Sequence, residues 1–99
     1  DIDSPFDINS IDIYRDELRF DLENTGNEDL IVKKIKIDDC DTETPDKTII
    51  KDDERNFDFD CDFNSRVDSD IDIEYMKSGG NETLTASGRI RADFNYRDY

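Results

Sequence analysis

The stretch RNFDFDCDFN, residues 55–64, sets an aspartate at every second position and an aromatic residue or cysteine between. Successive side chains of an extended strand point to opposite faces. Asp58, Asp60 and Asp62 therefore share one face, and Phe57, Phe59, Cys61 and Phe63 share the other. A second alternating run, VDSDIDIEY at 67–75, places Val67, Ile71, Ile73 and Tyr75 opposite Asp68, Asp70 and Asp72. No segment carries a comparable 3.6-residue period, and aspartate is a poor helix former.

The same alternation recurs along the chain between turn residues, which is the pattern of an all-β sandwich or barrel. Ile8, Ile11 and Ile13 mark a first strand, and Leu18, Phe20 and Leu22 a second. LIVKKIKI at 30–37 sets Ile31, Ile35 and Ile37 on one side and Lys34 and Lys36 on the other. Leu30 and Val32 break that parity, so a bulge is expected there. TGNED at 25–29 is a loop in which Gly26 is available for a positive φ. KTII at 47–50 reads as a short edge strand after the loop around Pro45. KSGGNE at 77–82 is a hairpin loop, and Leu84 to Tyr96 form a long last strand. The expectation is one domain, an immunoglobulin-like β-sandwich of about seven antiparallel strands over residues 11–99, with 1–10 an N-terminal arm or lead-in to the first strand.

Charge fixes the arrangement further. In the last hairpin, a register in which paired residue numbers sum to 159 puts Ile71 opposite Gly88, Ile73 opposite Ala86, Asp70 opposite Arg89 and Asp68 opposite Arg91. Opposite charges across a ladder stabilise by roughly 0.2–1 kcal/mol. Pairing 57–63 directly with 67–75 would instead stack Asp58, Asp60 and Asp62 against Asp72, Asp70 and Asp68. The simplest escape places these two strands in different sheets. The 67–75 strand then lies between the Arg89/Arg91 strand and the Lys34/Lys36 strand, and the 57–63 strand lies beside Arg19.

The alternative is a cation held by Asp58, Asp60, Asp62, Asp68 and Asp70. Calcium takes about 6–8 converging oxygens. Carboxylates two residues apart on one strand are roughly 7 Å apart and converge poorly. DDCDTETPD at 38–46 lacks the EF-hand pattern. A solvated acidic face is the preferred reading, with calcium the open alternative and no other cofactor expected.

The chain has 99 residues, 28 acids (21 Asp, 7 Glu) against 13 bases, and a net charge of −15. That charge disfavours nucleic acid and anionic lipid as partners. No apolar run approaches the ~20 residues of a membrane-spanning helix, so this segment is not expected to enter a membrane directly, and Asp1 reads as a mature or trimmed start. Histidine is absent. No nucleophile elbow, phosphate loop or paired-acid motif stands out, so no enzyme is expected.

Cys40 and Cys61 are the only cysteines. They are read as one disulfide closing a loop of about 22 residues, worth about 3 kcal/mol by chain entropy, which implies an oxidising compartment. Two reduced thiols stay open as the alternative. Asn81 in NET is an N-glycosylation acceptor pattern in a turn. Tyr14, Tyr75, Tyr96 and Tyr99 suit either an adhesive surface or caps on a sandwich core.

The series LRFDLENTGNEDLIVKKIKIDDC, IIKDDERNFDFDC and DIDIEYMKSGGNETLTASGRIRADF resembles the globular C-terminal domain of archaeal type IV pilin-like proteins with class III signal peptides, over roughly residues 11–95. The resemblance implies an extracellular β-sandwich facing outward from a filament whose core is an N-terminal hydrophobic helix. That helix is not in this sequence, so the head alone, or a subunit that assembles otherwise, is expected. Ile2, Phe6 and Ile8 are spaced to complete a neighbour's sheet by donor-strand exchange. The expected function is a structural or adhesive domain at the cell surface that self-associates or meets other surface-layer proteins. The alternatives are a secreted calcium-dependent binding module and a non-polymerising envelope protein.

Overall fold

A computed structural model describes residues 2–14, 16–62 and 66–93. Seven strands run in order: β1 (Phe6–Tyr14), β2 (Glu17–Asn24), β3 (Leu30–Ile37), β4 (Lys47–Ile49), β5 (Glu54–Asp60), β6 (Arg66–Lys77) and β7 (Leu84–Asp93). They form two antiparallel sheets, one ordered β1-β2-β5 and the other β4-β3-β6-β7. The chain crosses between sheets after β2, β4 and β5, so β5 and β6 lie in different layers. This is the immunoglobulin-like order expected from charge avoidance, with the short β4 at an edge beside β3.

Alternation in the strands builds the core between the sheets. Leu18, Phe20 and Leu22 of β2, Phe59 of β5, and Ile71 and Ile73 of β6 are almost completely buried. Each fully buried side chain of this size contributes roughly 1.5–3 kcal/mol. Phe20 stacks on Phe59 with ring centroids 5.4 Å apart. Tyr75 turns inward and meets the edge of Phe6 at 5.0 Å, so it is a core cap. Phe63, Phe94, Tyr96 and Tyr99 lie outside the described residues.

The β6–β7 ladder has the register inferred from charge, including Asp70 opposite Arg89 and Asp68 opposite Arg91. On the other side of β6, Lys36 faces Asp72 and Lys34 faces Glu74. β3 is bulged between Val32 and Lys34. The bulge reverses parity, so Leu30 and Val32 face the core with Ile35 and Ile37, whereas Ile31, expected on that face, is only half-buried. Gly26 also differs from expectation. Gly79 alone among the described glycines has a positive φ, 83°. At Gly26 an added Cβ would come within 3.1 Å of Pro5 Cβ, so close approach of the chain, not backbone handedness, favours glycine there.

The first ten residues are more integrated than an arm. β1 begins at Phe6, whose side chain is 3% exposed in its own core. Ile2 bridges to Gly88, and Asp3 N–H donates to Ser87 O at 2.9 Å.

Ser69 points inward on β6 between the expected core positions, and its buried Oγ has no hydrogen-bond partner among the described residues. Leaving such a hydroxyl unsatisfied costs about 1–3 kcal/mol. Ser69→Ala is therefore expected to raise stability by about 1 kcal/mol in urea denaturation.

Candidate functional site

Three surfaces carry the chain's unusual chemistry: the acidic ladders, the pole around the disulfide and the open strand edges. The ladders are the outward halves of the alternating strands. Arg19 on β2 pairs with Asp58 on β5, Nε to Oδ1 2.7 Å. Asp68 lies 3.1 Å from Arg89 Nε and 3.3 Å from Arg91 Nε, and Asp70 lies 3.5 Å from Arg89 Nε. Ser87 donates its hydroxyl to Asp72 at 2.6 Å. These contacts are solvent-exposed, and exposed ion pairs contribute at most about 1 kcal/mol each. Their main effect is to set which strands can sit side by side.

The five aspartates considered for a cation do not come together. Asp58 and Asp60 belong to β5 and Asp62 lies just beyond its end, whereas Asp68 and Asp70 belong to β6 in the other sheet. Among the described residues no group of three or more carboxylate, cysteine or histidine side chains is arranged to hold a metal ion.

The pole is built by a sequence echo. Both cysteines are flanked by aspartates, Asp39-Cys40-Asp41 and Asp60-Cys61-Asp62. The two tripeptides pair as a short antiparallel bridge: Asp41 N–H donates to Asp60 O at 2.8 Å and Asp62 N–H to Asp39 O at 2.7 Å. Cys40 and Cys61 face each other in it and are disulfide-bonded. The bond ties the loop after β3 to the end of β5 and so links the two sheets. Asp39, Asp41, Asp60 and Asp62 line a shallow hollow over Cys61.

At the opposite end of β2, Asn24 is fully buried. Its Nδ2 donates to Glu28 O at 2.8 Å and to Ile49 O at 2.9 Å, while Oδ1 accepts from Gly26 N–H at 2.9 Å. One side chain thus closes the 25–29 loop on itself and anchors β4 to the other sheet. The period-two alternation of β2 says nothing of this role. The signal was there: Asn two residues before Gly is an Asx-turn pattern.

The remaining candidates stay where their strands put them. Asn81 is exposed in the β6–β7 loop. Ile2 and Ile8 are half-buried and Phe6 buried, all packed on their own domain.

The charge distribution has a measurable consequence. The domain measures 44 × 21 × 19 Å. The Debye length falls from about 30 Å at 0.01 M salt to about 3 Å at 1 M. At low salt the excess acids repel one another across the short dimensions, and at high salt they do not. Raising NaCl over this range is expected to lift Tm by about 5 °C, equivalent to roughly 1 kcal/mol. Millimolar calcium is expected to add no saturable step beyond NaCl of equal ionic strength; such a step would favour a calcium module.

No protein-family model, curated protein or solved structure matches the chain.

Proposed function

We propose that this chain is a non-enzymatic extracellular domain with a structural or adhesive role, the pilin-like outer head of a subunit in an archaeal surface filament. The observation that carries this reading is the disulfide that joins the two sheets of a small, lean-cored sandwich. Such staples persist in oxidising compartments and are rare in reducing ones. The dense acidic outer faces support the same reading, because they keep a domain soluble in salt or divalent-rich water outside the cell. The resemblance of the series LRFDLENTGNEDLIVKKIKIDDC, IIKDDERNFDFDC and DIDIEYMKSGGNETLTASGRIRADF supplies the pilin-like part of the proposal.

Shearing surface appendages from intact source cells tests it. The chain is expected in the sheared fraction, with Cys40 and Cys61 linked on non-reducing peptide mapping. Recovery in the cytosol with both thiols free would overturn the reading.

A further inference from the structure

One edge strand of each sheet, β5 of the three-stranded and β7 of the four-stranded, carries charge of opposite sign. In an antiparallel pair, residues alternate between those whose backbone groups bond the partner strand and those whose groups point away. The β2–β5 ladder pairs Leu22 with Arg55, Phe20 with Phe57 and Leu18 with Phe59. Its bonding parity is fixed at both ends: Asn24 N–H donates to Asp53 O at 2.9 Å, and Cys61 N–H donates to Asp16 O at 2.7 Å. Arg55, Phe57 and Phe59 therefore bond β2, and Glu54, Asn56, Asp58 and Asp60 turn their backbone groups outward. Asp60 is covered by Asp41. Among the described residues, no backbone group pairs with Glu54, Asn56 or Asp58 on that side.

β7 has the matching geometry. Ser87 uses its carbonyl on Asp3 and its N–H on the Asp3 carboxylate, so its backbone faces away from β6. The β6–β7 register is unbroken, so Arg89 and Arg91 face the same way. On each edge the residues that direct backbone groups outward also carry the solvent-facing side chains. The charged ones among them are acidic on β5, at Glu54 and Asp58, and basic on β7, at Arg89 and Arg91. These side chains retain much exposure despite their pairs within the chain: 55% at Asp58 and 68% at Arg91.

We propose that copies of this chain join edge to edge, the β5 edge of one pairing with the β7 edge of the next. The three-stranded sheet of one sandwich then runs on into the four-stranded sheet of its neighbour, with Asp58 across from Arg89 or Arg91. Like edges are disfavoured: two β5 edges would bring Glu54 and Asp58 of both copies together, and two β7 edges would oppose the arginines. A contact between unlike edges is heterologous and generates an open chain unless its rotation closes a ring. The Ile2–Asp3 segment, lying on β7 at Ser87 and Gly88, limits how far the incoming strand extends. This inference rests on the filament reading above and adds the surfaces through which the heads meet.

Charge reversal tests it. One variant carries Asp58→Lys and Asp60→Lys, the other Arg89→Glu and Arg91→Glu. Neither is expected to polymerise alone under conditions where the unaltered protein does, because each then presents two edges of one sign. Mixed in equal amounts they are expected to form alternating polymers, read by sedimentation and electron microscopy. Polymers from either variant alone, or none from the mixture of two folded variants, would overturn the proposal. The arginine reversals also oppose Asp68 and Asp70 within the hairpin, so hydrogen exchange on the unaltered protein provides a second measurement. Assembly is expected to protect the amides of Asn56, Asp58 and Arg91; protection confined to other strands would overturn the proposal. If the unaltered protein forms no polymer, the edge-to-edge proposal is overturned while the filament reading stands or falls on the sheared fraction, which separates the two failures.

Discussion

Asn24→Ala is expected to destabilise the domain by about 3 kcal/mol, a loss of roughly 10–20 °C in Tm. The side chain makes three hydrogen bonds from a fully buried position. Each is worth about 1 kcal/mol, and removal leaves Ile49 O in the interior without this donor. Asn24→Asp makes a sharper test. It keeps the acceptor for Gly26 N–H but sets a carboxylate against the carbonyls of Glu28 and Ile49, so it is expected to be no more stable than the alanine variant. Urea denaturation followed by circular dichroism measures both. A loss below about 0.5 kcal/mol in Asn24→Ala would show that the loop and β4 hold without the clamp.

Removing the disulfide is the second large change. Cys40 and Cys61 are 21 residues apart in sequence. Closing a loop of that length restricts the unfolded chain by about 3 kcal/mol in the chain-entropy account. Paired Cys40→Ser and Cys61→Ser replacements are expected to lose that amount, a large fraction of the roughly 5–15 kcal/mol that holds a typical domain together. The loss should coincide with a steeper dependence on urea, because the uncrosslinked unfolded chain exposes more surface. It should matter most at low ionic strength, where the net charge of −15 opposes compaction. An unchanged midpoint after complete reduction would mean that the backbone bridge at Asp39–Asp41 and Asp60–Asp62 holds the pole without the bond.

Where the fold was legible in the sequence, two independent patterns agreed. The period of two set the inward faces of β2, β5 and β6, and the charges chose which strands could be neighbours. Asp68 and Asp70 against Arg89 and Arg91 fixed the hairpin register, and the cost of opposing Asp58–Asp62 with Asp68–Asp72 separated β5 from β6. Legibility failed where a side chain acts through the backbone. Ile31 was grouped with Ile35 and Ile37 because the run was read back from its regular end, although the expected bulge, found between Val32 and Lys34, puts Leu30 and Val32 on the core face instead. Asn24 ends the alternating strand as one more polar residue, yet it is buried because three backbone groups there need partners. Gly26 was read for its φ, whereas its neighbour Pro5 comes from the segment before β1, outside any local pattern. The first ten residues read as an arm or a lead-in to the first strand, because the bulge between Asn9 and Asp12 interrupts the alternation that would have joined Phe6 to Ile13. Among the candidate sites, the cysteine pairing followed from there being only two, and the acid–arginine pairs followed from the register, with Asp68 and Asp70 against Arg89 and Arg91.

The most direct test of the account is electron microscopy of this protein as isolated from its source cells. Regular filaments containing the chain, with sandwich heads facing outward, are the result the account predicts. Only monomers or small oligomers, from material whose N-terminus is shown to be native, would contradict it.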